Sequence, residues 1–71
     1  MAIQIYSEEF YAYRYTSRLV QETDEDVRAK ILYDINEFFF KHDSYDIINI
    51  VEHWDEGKYC LKVVVYYKGY I

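Results

Sequence analysis

The strongest constraint in this chain is a single helical period between Thr23 and His42. Val27, Ile31, Ile35 and Phe38 recur at three- and four-residue spacing and form one apolar stripe, which Leu32 and Phe39 widen. Thr23 is a good N-cap, and Asp26 stands three residues on, where a capping box places its acid. Asp24, Glu25 and Asp26 put negative charge at the positive end of the helix dipole, and Lys41 and His42 put cationic or titratable groups at the other. The spacing predicts a helix from about Asp24 to His42, with Arg28, Asp34, Glu37 and Lys41 largely off the stripe. Such a helix must bury its stripe against another layer, and the rest of the chain is patterned as strands.

Ile47–Trp54 and Tyr59–Tyr67 are rich in β-branched and aromatic residues and read as a hairpin. Between them "DEGK" offers Gly57 for a positive-φ turn position. If Trp54 opposes Tyr59, Ile50 faces Val63 and Ile48 faces Val65. One side is then Ile48, Ile50, Trp54, Tyr59, Leu61, Val63, Val65 and Tyr67, a match for the helix stripe, interrupted by Glu52 near the tip. The other side holds Ile47, Asn49, Val51, His53, Cys60, Lys62, Val64, Tyr66 and Lys68, which is mixed rather than polar. A solvated sheet face is normally more polar, so this side is either half covered or an interface.

Before the helix, "EEFYAYRYTSRLV" alternates from Phe10 to Leu19 as a strand would. Tyr11, Tyr13, Tyr15 and Leu19 share one side, and Arg14, Thr16 and Arg18 the other. A helix capped by Ser7, with Phe10, Tyr13 and Ser17 aligned, is the rival; the density of aromatic and β-branched residues favours the strand. Ile3 and Ile5 either open a separate strand that turns near Ser7–Glu9 or belong to one long bent strand. The expected fold is α+β, one domain over residues 1–71. It has a three- or four-stranded antiparallel sheet with one helix packed on one face, in the order β(β)αββ. In this arrangement the tyrosine side faces the helix. Arg14 and Arg18 then point the same way as His53, Lys62, Tyr66 and Lys68, and a slip of one residue reverses the assignment.

A chain of 71 residues is near the lower limit for a self-sufficient core, and its ten tyrosines exceed what that core can enclose. Tyrosine is enriched at interfaces, so a bound protein or a homodimer is expected. The formal charge of −5 disfavours direct nucleic-acid binding, although tyrosines on a sheet beside arginines can stack bases. It suits ordinary solubility, or an acidic protein that occupies another protein's basic site, including that of a nucleic-acid-binding protein. Cys60 is the only cysteine and fits a reducing cytosol. The segment MAIQIYSEEF lacks a basic stretch before an apolar run, and no apolar run approaches the roughly 20 residues needed to span a bilayer. The expectation is a cytoplasmic protein without a membrane.

Gly57 and Gly69 stand too far apart to cradle a phosphate. His53 and Cys60 oppose each other across the expected hairpin, but zinc generally needs three or four protein ligands, so no metal or other cofactor is expected. The same pair resembles the start of a thiol–imidazole dyad, yet a flat sheet face offers no oxyanion hole or cleft. No catalytic residue is assigned, and the chain is not expected to be an enzyme.

"INEFFF", "DIINIVEH" and "GKYCLKVVVYY" follow one another as a helix end, an I-I-x-I strand and a closing Y-x-x-x-V-x-Y strand. This layout, over about half the chain, resembles a family of small sporulation-associated proteins with related sequences in phages. The tyrosine-rich amino-terminal segment departs from it. The resemblance implies a small α+β domain of non-enzymatic role and transfers no functional residue.

The leading functional expectation is a small acidic, tyrosine-rich protein-binding module. It would be an inhibitor of the kind phages and mobile elements encode, acting by surface occlusion or acidic mimicry. Its candidate partner-binding residues are Glu22, Asp24, Glu25, Asp26, Asp34, Glu37 and Tyr66. The alternative is an oligomer that sequesters a nucleotide-like small ligand with Arg14, Arg18, His53, Lys62 and Tyr66. A homodimer through the mixed sheet side around Val51, Val64 and Tyr66 is compatible with either.

Overall fold

The computed structural model describes residues 2–42 and 45–70. Its elements are β1 (Ile3–Tyr13), α1 (Asp24–Lys41), β2 (Asp46–Trp54) and β3 (Cys60–Tyr70). The strands form one antiparallel sheet in the order β1-β3-β2, so β3 lies between two edge strands and α1 crosses over it from one edge to the other. This is the expected α+β architecture in its three-stranded form.

The helix forms as its residues dictate. The Thr23 side chain accepts from the Asp26 amide at 3.2 Å, and the Asp26 carboxylate accepts from the Thr23 amide at 2.9 Å, so the capping box is complete. α1 ends at Lys41, with His42 as its cap. Val27, Ile31 and Ile35 are buried against Ala12, Leu61, Val63 and Val65, while Phe10, Phe39 and Trp54 close the sides of this core. Beyond the core, an aromatic cluster fills the space at the helix carboxyl end. Tyr67 lies 4.9 Å from Tyr45, 5.3 Å from Phe39 and 5.5 Å from Tyr6 between ring centroids.

Four local expectations are corrected. The first strand ends at Tyr13 rather than Leu19; of the two alternatives for Ile3 and Ile5, the single continuous strand is the one that forms. Residues 14–23 form a loop, tied by an isolated bridge between Thr16 and Gln21 and by an Arg14 guanidinium that turns inward.

The facing of the opening stretch is reversed. Phe10 and Ala12 pair with Val63 and Leu61 on the helix side, whereas Tyr11 and Tyr13 pair with Lys62 and Cys60 on the open side. Ala12 belongs to the same buried cluster as Val27, Ile31 and Leu61, where a tyrosine ring has no room.

The hairpin register is displaced by two residues: Trp54 opposes Leu61, Ile50 opposes Val65 and His53 opposes Lys62. The Asp55 carboxylate accepts from the amides of both Tyr59 and Cys60, at 2.7 and 3.1 Å, which holds a wider loop than "DEGK" alone requires. A two-residue shift preserves facing, so Leu61, Val63, Val65 and Tyr67 still point at α1. An irregularity between Ile47 and Asn49 leaves Ile48 without a partner and brings Ile47 opposite Tyr67 instead.

The positive-φ residue of the turn is Lys58, at φ 57°, and neither glycine has positive φ. Tyr59 begins the turn side of this register and is exposed rather than packed against the helix.

Candidate functional site

α1 packs on β1 and β3 and leaves the helix-facing side of β2 uncovered. The cause lies in the helix sequence. Ala29 and Leu32 line the flank toward β2, while Arg28 extends there and ties down one end. Its Nε donates to Glu52 at 2.9 Å and its Nη1 to Glu25 at 2.6 Å, and its guanidinium carbon sits 6.0 Å from the Trp54 ring centroid. The Glu52 hydrogen bond, chiefly, raises the Arg28 pKa, so the guanidinium stays protonated between its two carboxylate partners. What remains is a groove of about 340 Å³ between α1 and β2. Ala29, Leu32, Ile35, Ile50, Leu61 and Val63 line it, with Glu25, Arg28 and Glu52 at its polar end.

The groove opens onto further apolar surface. Leu32 is 57% exposed and Ile50 48%, and Ile47 and Ile48 on β2 are exposed as well. Tyr33 and Phe40 are exposed on the outer face of the helix, Phe40 at 86%. Leu32, which widens the helical stripe in sequence, forms the groove's rim rather than part of the buried core. The volume lies at the low end of ordinary ligand sites, and the lining is mostly aliphatic with no convergent set of polar groups.

The opposite sheet face carries no covering element among the described residues. Across it, Tyr11, Lys62 and His53 form one row, Glu9, Val64 and Val51 the next, then Ser7, Tyr66 and Asn49. Tyr11 donates its hydroxyl to Glu9 at 2.7 Å, and this bond raises the Tyr11 pKa. The expected mixed composition of this face is therefore real, with polar and apolar groups interleaved rather than gathered into a patch.

Among the residues proposed to hold an anionic ligand, His53, Lys62 and Tyr66 share this face. Arg14 does not join them, contrary to the expected facing. Its guanidinium donates to the Glu22 carbonyl at 2.7 Å, to the Lys58 carbonyl at 2.8 Å and to the Asp24 carboxylate, and it lies 5.3 Å from the Trp54 ring centroid on the helix side. Arg18 is exposed in the loop.

Four of the six candidate acids are engaged locally. Asp24 pairs with Arg14, and Lys58 Nζ lies 3.7 Å from its second oxygen; the Arg14 hydrogen bond, chiefly, depresses its pKa. Glu22 accepts from Lys30 and from the Tyr15 amide, which depress its pKa in that order. Asp26 is held low by the Thr23 amide, and Glu25 pairs with Arg28. Asp34 and Glu37 are exposed on the outer flank of α1 and make no ion pair or hydrogen bond among the described residues.

His53 and Cys60 are not opposite each other, since His53 faces Lys62 and Cys60 faces Tyr13. Among the described residues no three His, Cys, Asp or Glu side chains are grouped to hold a metal ion, and no helix is long and apolar enough to cross a membrane. Comparison with protein-family models, with curated proteins and with solved structures finds no match to this chain.

Proposed function

We propose that this chain is a small protein-binding module that works by occupying a partner's surface, as a phage- or mobile-element-encoded inhibitor would. The observation that carries the reading is the incomplete cover of the sheet. One helix spans two of three strands, and the third leaves an aliphatic groove lined by Leu32, Ile35 and Ile50, with Ile47 and Ile48 exposed further along β2. A partner's apolar side chains would fill it, with Arg28, Glu25 and Glu52 as a polar rim. The accessible surface of 5438 Å² also exceeds the roughly 4,800 Å² typical of a compact monomer of this mass.

Surface occlusion is better supported than acidic mimicry. Glu22, Asp24, Glu25 and Asp26 spend their charge on neighbours, which leaves only Asp34 and Glu37 of that set to present it outward.

The test is quantitative affinity capture with three baits: the unaltered chain, a Leu32→Glu/Ile50→Lys variant and an Asp34→Lys/Glu37→Lys variant. All the altered residues are exposed, so circular dichroism should be unchanged. Proteins retained by the charge-reversed bait and lost from the groove bait support the reading. Identical recovery on the unaltered and groove baits overturns it.

A further inference from the structure

β1 is an open edge of unusual length and regularity. Its eleven residues pair with β3 in continuous register from Ile3 to Tyr13. The other edge strand, β2, is interrupted at Ile48. Bulges, prolines and lysines are the usual devices that keep an edge from accepting another strand, and β1 has none of these. It does have Glu8 and Glu9.

The direction of the backbone groups follows from one bond. The Arg14 amide donates to the Tyr59 carbonyl at 2.6 Å, so residue 14 points its backbone at β3. Alternation then turns Ala12, Phe10, Glu8, Tyr6 and Gln4 the same way, and turns Tyr13, Tyr11, Glu9, Ser7, Ile5 and Ile3 toward the open edge. A second contact agrees: Lys30 Nζ donates to the Tyr13 carbonyl at 3.0 Å, which a carbonyl facing β3 could not accept. Lys30 thereby closes the Tyr13 end. From Ile3 to Tyr11 the outward amides and carbonyls have no strand beside them among the described residues.

The charges on this edge select the occupant. Glu8 lies on the helix-facing side and Glu9 on the open side, so carboxylates flank the middle of the edge above and below the sheet. Asp34 and Glu37 add negative charge on the outer flank of α1. A second copy of β1 would set these glutamates against their own kind, because antiparallel pairing about the centre of β1 brings like charges together. A strand with two adjacent basic residues would instead place one cation beside each carboxylate. Its apolar neighbours would meet Ile5 and Tyr6 on one side of that pair, and Phe10 and Tyr11 on the other.

We propose that β1 binds an extended, centrally basic segment of another protein by strand addition. This surface is distinct from the groove between α1 and β2. Backbone bonds to residues 3 to 11 supply affinity, and Glu8 and Glu9 supply selectivity.

The probe is a short capped peptide of alternating valine and threonine with two lysines at its centre, compared by calorimetry with the same peptide carrying two glutamates. The lysine peptide should bind roughly tenfold more tightly at low salt, and Glu8→Gln/Glu9→Gln should erase that difference. Ser7→Pro removes an outward amide without touching the ladder to β3, so it should abolish binding; Ser7→Thr should retain it. Methylating one alternate set of the peptide's amides should abolish binding and methylating the other set should not, which tests the geometry without altering the protein's fold. Leu32→Glu should leave peptide binding unchanged, so failure of the groove reading and failure of this one are separable. No measurable binding of the lysine peptide overturns the proposal, as does equal binding of both peptides. Self-association of the chain alone that Ser7→Pro dissolves would also overturn it, by making the occupant a second copy.

Discussion

Lys58 sits at φ 57°, a conformation that costs a residue with a Cβ about 1 kcal/mol or more. It persists there because the turn around it is over-determined. The Lys58 amide donates to the Asp55 carbonyl at 3.1 Å, and its own carbonyl accepts from Arg14. Replacing Lys58 by Gly keeps both backbone bonds and removes the steric cost, at the loss of a distant contact to Asp24. The variant should gain up to about 1 kcal/mol in urea denaturation. A net loss would mean that the lysine side chain, rather than the backbone, holds the turn. The sequence placed a glycine one residue away and invited the wrong assignment. Nothing in a four-letter string says that Asp55 will bind two amides and move the turn along.

Arg14 shows the same limit from the other side. It was legible as a cation beside tyrosines, not as the clasp between the loop, the helix start and the hairpin tip. Its partners are mostly backbone carbonyls, which no residue pattern displays. Arg14→Met keeps the apolar stem over Trp54 and removes the donors to Glu22, Lys58 and Asp24. The melting temperature should fall by on the order of 5 °C, and the fluorescence of Trp54 should change before global unfolding.

At the scale of elements, α1 was readable almost to the residue because its signals are local: a cap, a capping box and a 3.6-residue period. The strands were readable as strands, but facing depends on what lies across the sheet. In β1 both alternate sets are apolar, Phe10 and Ala12 against Tyr11 and Tyr13, so periodicity cannot choose between them. Space chooses, because the small residue goes where the helix comes closest. The hairpin's facing is legible even where its register is not, because facing repeats every two residues.

Two substitutions probe this packing. Ile31 is 2% exposed at the centre of the core, and Ile31→Ala should cost about 2–5 kcal/mol, enough to unfold most of a domain this small at 37 °C. Gly69 is the subtler case. A Cβ there would meet Tyr45 at 3.0 Å and Tyr6 at 3.2 Å, inside the aromatic cluster around Tyr67. Gly69→Ala should therefore destabilise by about 1–2 kcal/mol, despite the better strand propensity of alanine. A neutral result in thermal melts would show that the Tyr45 ring swings aside.

The whole molecule is a thin slab, 54 × 23 × 12 Å over its Cα atoms, with one sheet layer and one helix layer. With so little depth, the end at the loop and the start of α1 is held by polar ties, and those ties titrate. Asp24, Glu22 and Asp26 all have pKa values below the ordinary carboxylate range, from Arg14, from Lys30 and the Tyr15 amide, and from the Thr23 amide respectively. A carboxyl depressed in the folded state contributes stability that is present above its unfolded pKa and is lost as pH falls through its folded value. All three lie at the junction of the loop and the start of α1. Acid should therefore release that junction first, below about pH 4, while the aromatic end remains packed. At the other extreme, burial raises the Tyr67 pKa, so its contribution is complete below the ordinary tyrosine pKa and is lost as pH climbs through the raised folded value. Opposite ends of the slab should thus fail at opposite ends of the pH scale. Trp54 fluorescence, beside Arg14 and Arg28, reports the first event, and tyrosine near-ultraviolet dichroism, dominated by the cluster around Tyr67, reports the second. Coincident loss of both signals in acid would show instead that the two ends unfold as one unit.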